Sequence, residues 1–402
     1  MRKAYQEIMK FIPRSQVRNR QEKGSTAVRN TDTDSDTVAR GLATARKTAR
    51  THGGNIYEAA RRYGFAEKKI IDFSSNVNPL GPSSYAKRAA KKALSSIDRY
   101  PDPDMGELRM AIARYFGIKS GHVMCGNGSN SLIHLIPRVF RPKKVLIPCP
   151  TFSEYASAVE DAGGEVVPMP LLEREGFRVD TLEMSFALKG VDMAFLCNPN
   201  NPTGQLILKA DMLEIARYAL ERDVRLVVDE AFMDFTDSDS IIKEAVESSH
   251  LICIRAFTKF FGMPGLRVGY AVSGEATIAG LRDGQEPWTV SIPAERAAIA
   301  VLGDWTYIDK TRRLIKKERE RLLSALRIMP GVETFPCSAN FIFLKLNAID
   351  VPMFIDKLGE RGMLVRDCSS FPGLDERYIR IAIRTGRENK RLIKAFRELL
   401  VR

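Results

Sequence analysis

Lys259 stands in the segment Arg255-Ala-Phe-Thr-Lys-Phe-Phe-Gly-Met-Pro-Gly-Leu-Arg267, directly after the apolar run Leu251-Ile-Cys-Ile. A lysine delivered from an apolar strand into a glycine-bearing loop is partly desolvated. That lowers its pKa and frees the amine to form a Schiff base with a carbonyl. Eight residues on, Arg267 offers a planar fork that matches a phosphate. Either residue alone would most simply be a solvated surface charge. Two further polar clusters change that balance. Asp229-Glu230 closes the apolar run Arg225-Leu-Val-Val, and Asn198-Pro-Asn-Asn-Pro-Thr-Gly204 follows Met193-Ala-Phe-Leu-Cys197.

These clusters need elements that bring them together. The runs 144–148, 193–197, 225–229, 251–255 and 268–272 are β-rich and lack polar alternation, and helical stretches separate them. Such strands predict an α/β fold with a mainly parallel sheet covered by helices on both faces. Ligands bind such sheets at the carboxyl ends of the strands, where this chain puts its unusual polar residues, so the clusters are expected to converge on one crevice. Helical periodicity marks 208–222, 307–328 and 388–401. The long middle helix is expected to join two domains, with 338–345 and 378–383 as strands of a smaller α+β unit. The expected organisation is a disordered basic tail over 1–50, a segment 51–98 packing with the small domain, a large domain over 99–306 and a small C-terminal domain over 307–402.

The chain carries 44% apolar and 28% charged residues and a net charge of +13. Seven of those excess positive charges lie in residues 1–50, where twelve Lys/Arg meet five Asp/Glu in a Thr-, Ser- and Arg-rich stretch. The basicity therefore reads as a solvated tail more than as a nucleic-acid surface. Asp32, Asp34 and Asp36 argue against an organelle transit peptide. No stretch reaches the roughly 20 apolar residues that span a bilayer, so no membrane partner and a cytoplasmic location are expected. The six cysteines show no Cys-x-x-Cys spacing and read as reduced core thiols. Four histidines without ligand spacing give no support for a metal.

The Lys259 segment, the Asn-Pro-Asn-Asn-Pro-Thr-Gly run and Asp229-Glu-Ala resemble, in order and spacing, the fold type I family of pyridoxal-phosphate-dependent aminotransferases, from residue 52 onward. The resemblance implies pyridoxal 5'-phosphate as cofactor, with Lys259 binding it covalently and later moving protons at the substrate Cα. It implies that Asp229 faces the pyridine nitrogen and keeps it protonated, and that Asn201 bonds the ring hydroxyl. Phosphate would be held by Arg267, by Thr258 and by backbone N–H groups of Gly126-Asn-Gly-Ser-Asn130, including Gly128, Ser129 and Asn130, where a glycine-rich turn opens a helix. Phe152 would stack on the ring. Tyr100, in Arg99-Tyr-Pro-Asp, resembles the residue that reaches the neighbouring subunit's phosphate and so implies a homodimer.

Two departures narrow the activity. Ala256 stands where many relatives have a phosphate-binding serine. Phe232 replaces a tyrosine that touches the ring hydroxyl, and phenylalanine cannot make that bond, which argues against an ordinary transaminase. Within the family, His52-Gly-Gly-Asn55, Asp72-Phe-Ser-Ser-Asn-Val-Asn-Pro-Leu-Gly81, Asp229-Glu-Ala-Phe232 and 364–374 before Tyr378-Ile-Arg380 resemble the threonine-phosphate decarboxylases of cobalamin biosynthesis. That branch implies L-threonine O-3-phosphate as substrate, with His52, Asn76, Asn201, Arg366 and Arg380 around it. Two arginines suit a substrate with both a carboxylate and a phosphate. Histidinol-phosphate aminotransferase and serine-phosphate decarboxylase remain the alternatives. His52-Gly-Gly-Asn55 also reads as a turn into a helix over 56–63, with Asn55 as N-cap and Glu58 as its capping partner.

Overall fold

The computed structural model describes residues 53–347 and 349–400. The expectations for the tail 1–50 and for His52 fall outside the described residues. Seven strands form the main sheet: β2 (Val123–Asn127), β3 (Lys144–Cys149), β4 (Glu165–Pro170), β5 (Met193–Cys197), β6 (Arg225–Asp229), β7 (Leu251–Ala256) and β8 (Val268–Val272), in the order β2-β8-β7-β6-β5-β3-β4. β3 to β7 pair in parallel, while β8 is antiparallel to both β7 and β2. Val227, Ile252 and Ile254 on the central strands are fully buried. Each such side chain removed from water stabilises the sheet by roughly 1.5–3 kcal/mol, which is why these strands carry no polar alternation. The two strands that patterning does not pick out lie at the edges. β4 reads Glu-Val-Val-Pro-Met-Pro, and two prolines are compatible with an edge strand because one side of it donates nothing to the ladder.

The helix Trp305–Arg327 begins at Asp304, whose side chain accepts from the Tyr307 N–H at 3.1 Å. It leads from the main sheet to an antiparallel sheet of β9 (Val332–Thr334), β10 (Phe341–Leu346), β12 (Arg366–Asp367) and β13 (Tyr378–Ala382), ordered β12-β13-β10-β9. The early segment joins this second sheet. β1 (Ile71–Asp72) pairs in parallel with β11 (Met363–Leu364), the Phe73 N–H bonds the Leu364 carbonyl, and the Ala382 N–H bonds the Phe73 carbonyl, both at 2.8 Å. Before it, the helix Ile56–Tyr63 starts at Asn55, whose amide oxygen accepts from the Glu58 N–H (3.1 Å) while its amide nitrogen donates to the Glu58 carboxylate (2.8 Å). The capping partners are those expected, although Glu58 meets the Asn55 side chain and not its backbone.

One buried residue ties the lysine loop to the long helix. The Asn78 side-chain nitrogen lies 2.7 Å from the Phe260 carbonyl and 2.9 Å from both the Tyr307 and Thr311 hydroxyls, and its backbone N–H bonds the Lys259 carbonyl at 3.0 Å. The lysine loop is thereby anchored to the long helix. Cys125, Cys149, Cys197, Cys253 and Cys368 are buried and Cys337 partly so, all six as free thiols.

Candidate active site

The carboxyl ends of β5, β6 and β7 open into a cavity of about 310 Å³ that β13 and the early segment close from the other side. Lys259, just beyond β7, is only partly exposed, and what it exposes faces this cavity. Enclosure lowers its amine to a pKa of about 8, and the positive charges of Arg380 and Arg267 push the same way against Asp229.

Asp229 ends β6 and is buried. Enclosure raises its carboxyl to about 6, held back by the Ala231 N–H, the Tyr155 hydroxyl and the charge of Lys259. The Ala231 N–H donates to Oδ1 and the Tyr155 hydroxyl to Oδ2, each at 2.9 Å. Both oxygens of the carboxylate are therefore fixed in place.

The helix Gly128–Phe140 points its N-terminus at the cavity, with Ser129 and Asn130 in the lining. Gly128 has φ +75°, and a Cβ there would lie 2.4 Å from Arg267 Nη2. At Gly269, at the start of β8, a Cβ would lie 2.3 Å from the Ser129 nitrogen. Glycine at both places lets the turn, the guanidinium and β8 approach closely, leaving first-turn N–H groups and a cation beside one another. Thr258 and Phe152 also line the cavity. Ala256 is buried at the end of β7, and Phe232 packs edge-on against Phe341 with ring centres 5.2 Å apart.

Arg366 and Arg380 form the opposite wall. They are cross-strand partners on β12 and β13, and both are buried. Arg380 donates to the Asn201 side-chain oxygen and to the Ser74 carbonyl (2.9 Å). The Asn76 amide, turned with its oxygen toward the guanidinium, accepts from Arg380 Nε at 3.2 Å. Arg366 donates to the Ser370 hydroxyl at 2.7 Å and lies over the Phe371 ring. Burial lowers both guanidiniums, Arg380 to about 10, where it is still a cation at neutral pH. Among the described residues neither forms an ion pair with a carboxylate. Two like charges opposite each other on neighbouring strands repel, and buried unpaired charge is costly. An anion entering between them removes both penalties.

Of the residues singled out by sequence, Lys259, Asp229, Asn201, Thr258, Arg267, Ser129, Asn130, Phe152, Asn76, Arg366 and Arg380 line this one cavity, and Gly128 lies behind Arg267. Tyr100 does not line it. It is 77% exposed and packs against Trp288 at 4.8 Å between ring centres. Sequence reasoning missed Tyr155, Ser74, Ser370 and Gly53, which also line the cavity. Tyr155 follows Phe152 by three residues and opens the helix Glu154–Asp161; the other three are small residues inside the stretches 52–55, 72–81 and 364–374 that carry the resemblance, which gives them no role.

The residues present fit pyridoxal phosphate. A lysine amine of lowered pKa would take its aldehyde, a fixed buried carboxylate its ring nitrogen, and the Gly128 turn with Arg267 its phosphate.

The sequence pattern of the family described as aminotransferase class I and II matches residues 68–396. A threonine-phosphate decarboxylase of Salmonella typhimurium is 35% identical over 87% of this chain and 96% of its own length. Histidinol-phosphate aminotransferase 2 of Archaeoglobus fulgidus is 36% identical over 83% of this chain and 94% of its own. Among solved structures, the L-threonine-O-3-phosphate decarboxylase of Porphyromonas gingivalis superposes with a TM-score of 0.75 at 29% identity, covering 83% of this chain and all of that one.

Proposed function

The chain belongs to the class I and II aminotransferase family, and from that premise we propose that it decarboxylates L-threonine O-3-phosphate to (R)-1-amino-2-propanol O-2-phosphate, using pyridoxal phosphate, for cobalamin biosynthesis. The observation that carries the reading is the buried Arg366–Arg380 pair, which has no carboxylate partner among the described residues. A substrate with one carboxylate and one phosphate supplies the anions the pair lacks.

When bound, the cofactor supplies an electron sink that takes the pair left on Cα as a bond there breaks. This chain's residues would do the rest. Lys259 would hold the cofactor through its Nζ, and the same Nζ, once free, would hand a proton to the substrate Cα. Asp229, fixed through both oxygens, would hold a proton on the ring nitrogen. The Gly128 turn, Thr258 and Arg267 would hold the cofactor phosphate, and Phe152 would pack against its ring. Arg366 and Arg380 would bind the substrate's anions and orient its carboxylate for loss as CO₂. Asn76 and Asn201 hold the Arg380 guanidinium in place. Serine phosphate differs by one methyl group, worth only about 1–3 kcal/mol of discrimination, and is the nearest competing substrate.

The working unit is read as a cytoplasmic homodimer, with Tyr100 reaching the second copy's phosphate site. The 77% exposed Tyr100 and the 47% exposed Trp288 beside it support that reading. No helix among the described residues is long and apolar enough to cross a membrane. The reading is tested by comparing L-threonine O-3-phosphate with unphosphorylated L-threonine. The phosphorylated substrate is expected to release CO₂ with a kcat/KM at least about a hundredfold higher, the loss expected when buried charge is left without its partner. Equal turnover of both would overturn it.

A further inference from the structure

Tyr155 is fully buried in the first turn of the helix Glu154–Asp161. Its ring lies flat against Phe195 (5.2 Å between centres, 11° between planes) and meets Phe152 edge-on at 5.6 Å. Those contacts fix the ring, and its hydroxyl, beside the Cys197 thiol, donates to Asp229 Oδ2 at 2.9 Å. We infer that Tyr155 is the positioning residue of the site: through this hydrogen bond it keeps the Asp229 carboxylate ionised and aimed at the ring nitrogen of the bound cofactor. The inference rests on the cofactor reading above and is independent of the choice of substrate.

A carboxylate enclosed this deeply takes up a proton unless donors compensate, and a protonated Asp229 has no free charge with which to hold the ring proton. Two donors face it, the Ala231 N–H and Tyr155. The backbone donor comes with the strand end and is present whatever the side chains, so Tyr155 is the one the sequence chooses. Four other groups bear on Asp229. Lys259 favours its charged form. Glu230 opposes it but turns its own carboxylate to Arg255, Ser240 and the Ile241 N–H. Cys197 is pushed up to about 12 and Cys253 well above the ordinary thiol value, both chiefly by burial, so neither thiol ionises near neutrality. Tyr155 is itself raised well above the phenol range by burial and stays a donor throughout. One residue thus supports the ring-face aromatic Phe152 and the ring-nitrogen carboxylate together.

Tyr155→Phe removes one oxygen and leaves the ring packing intact. Infrared difference titration of the cofactor-free protein, with the band assigned by Asp229→Asn, follows the Asp229 carboxyl directly. Tyr155→Phe is expected to raise the proton affinity of Asp229 about tenfold or more, the loss of one hydrogen bond to a charged group. It should weaken pyridoxal-phosphate binding by a similar factor. Site-specific 3,5-difluorotyrosine at 155, a stronger donor of nearly the same shape, is expected to lower that proton affinity, which keeps the test decisive if the phenylalanine variant does not fold. An Asp229 titration unmoved by either replacement would overturn the inference and leave Tyr155 a packing residue. A wild-type protein that binds no pyridoxal phosphate would sink the cofactor reading instead, while the Asp229 titration still decides the role of Tyr155.

Discussion

Lys259 must be neutral to attack an aldehyde. With its pKa lowered to about 8, about a tenth of it is neutral at pH 7, against about three in ten thousand for an ordinary lysine. The rate of covalent cofactor capture should therefore rise as pH increases and level off above about 8, read from the appearance of the visible absorption band; a rise continuing beyond about pH 10 would contradict the lowered value. Lys259→Ala should abolish covalent attachment altogether, read by borohydride reduction and mass spectrometry. Arg380→Met keeps the volume of the side chain and removes its charge. It is expected to raise KM for the phosphorylated substrate at least about tenfold, the scale of a hydrogen-bonded charge, while the bound cofactor's absorption stays. At this scale the sequence is informative where a residue type is unusual in its setting. Lysine after an apolar run and Asp229 at a strand end stand out, whereas Arg366 and Arg380 come only from the family resemblance and show their pairing only in the fold. Tyr155, Ser74 and Ser370 do not stand out, because their types are common and their significance comes only from the tertiary contacts they make.

The turn into the helix Gly128–Phe140 works through backbone conformation as much as through side chains. Gly128→Ala places a Cβ at φ +75° and 2.4 Å from Arg267. Gly64, at φ +70° with nothing within 4 Å of its would-be Cβ, carries the same strain without the clash. The shared strain is expected to cost each variant about 1–2 kcal/mol of stability, measured by urea unfolding, with the Arg267 clash adding to it in Gly128→Ala. Only Gly128→Ala should weaken cofactor binding, and equal binding by the two variants would contradict the phosphate role of the turn. The central strands were legible as elements because burial on both faces leaves them purely apolar. β4 was not, since its prolines argue against a central strand and its edge position is set by the fold. The junction of Phe73 with Leu364 and Ala382 joins residues about 300 positions apart, and no local pattern announces it.

At the scale of the whole molecule, the site gathers groups from both sheets, and a second copy is proposed to complete it through Tyr100. Tyr100→Ala should then weaken cofactor retention, and Lys259→Ala should be inactive. Mixing the two variants under subunit exchange should restore activity, since half the sites of a mixed dimer hold both Lys259 and a partner's Tyr100. No recovery in verified mixed dimers would contradict a shared site. The parallel sheet and the crevice at its carboxyl ends were readable from strand patterning, whereas a surface that meets a second copy has no periodicity of its own. The exposed pair of Tyr100 and Trp288 becomes visible only once the chain is folded.

Decarboxylation is tested most directly by supplying the pyridoxal-phosphate-loaded protein with L-threonine O-3-phosphate and no 2-oxo acid. CO₂ and (R)-1-amino-2-propanol O-2-phosphate are expected in equal amounts, with the cofactor left in its aldehyde form. Turnover that begins only when histidinol phosphate and 2-oxoglutarate are added, without CO₂ release, would contradict it.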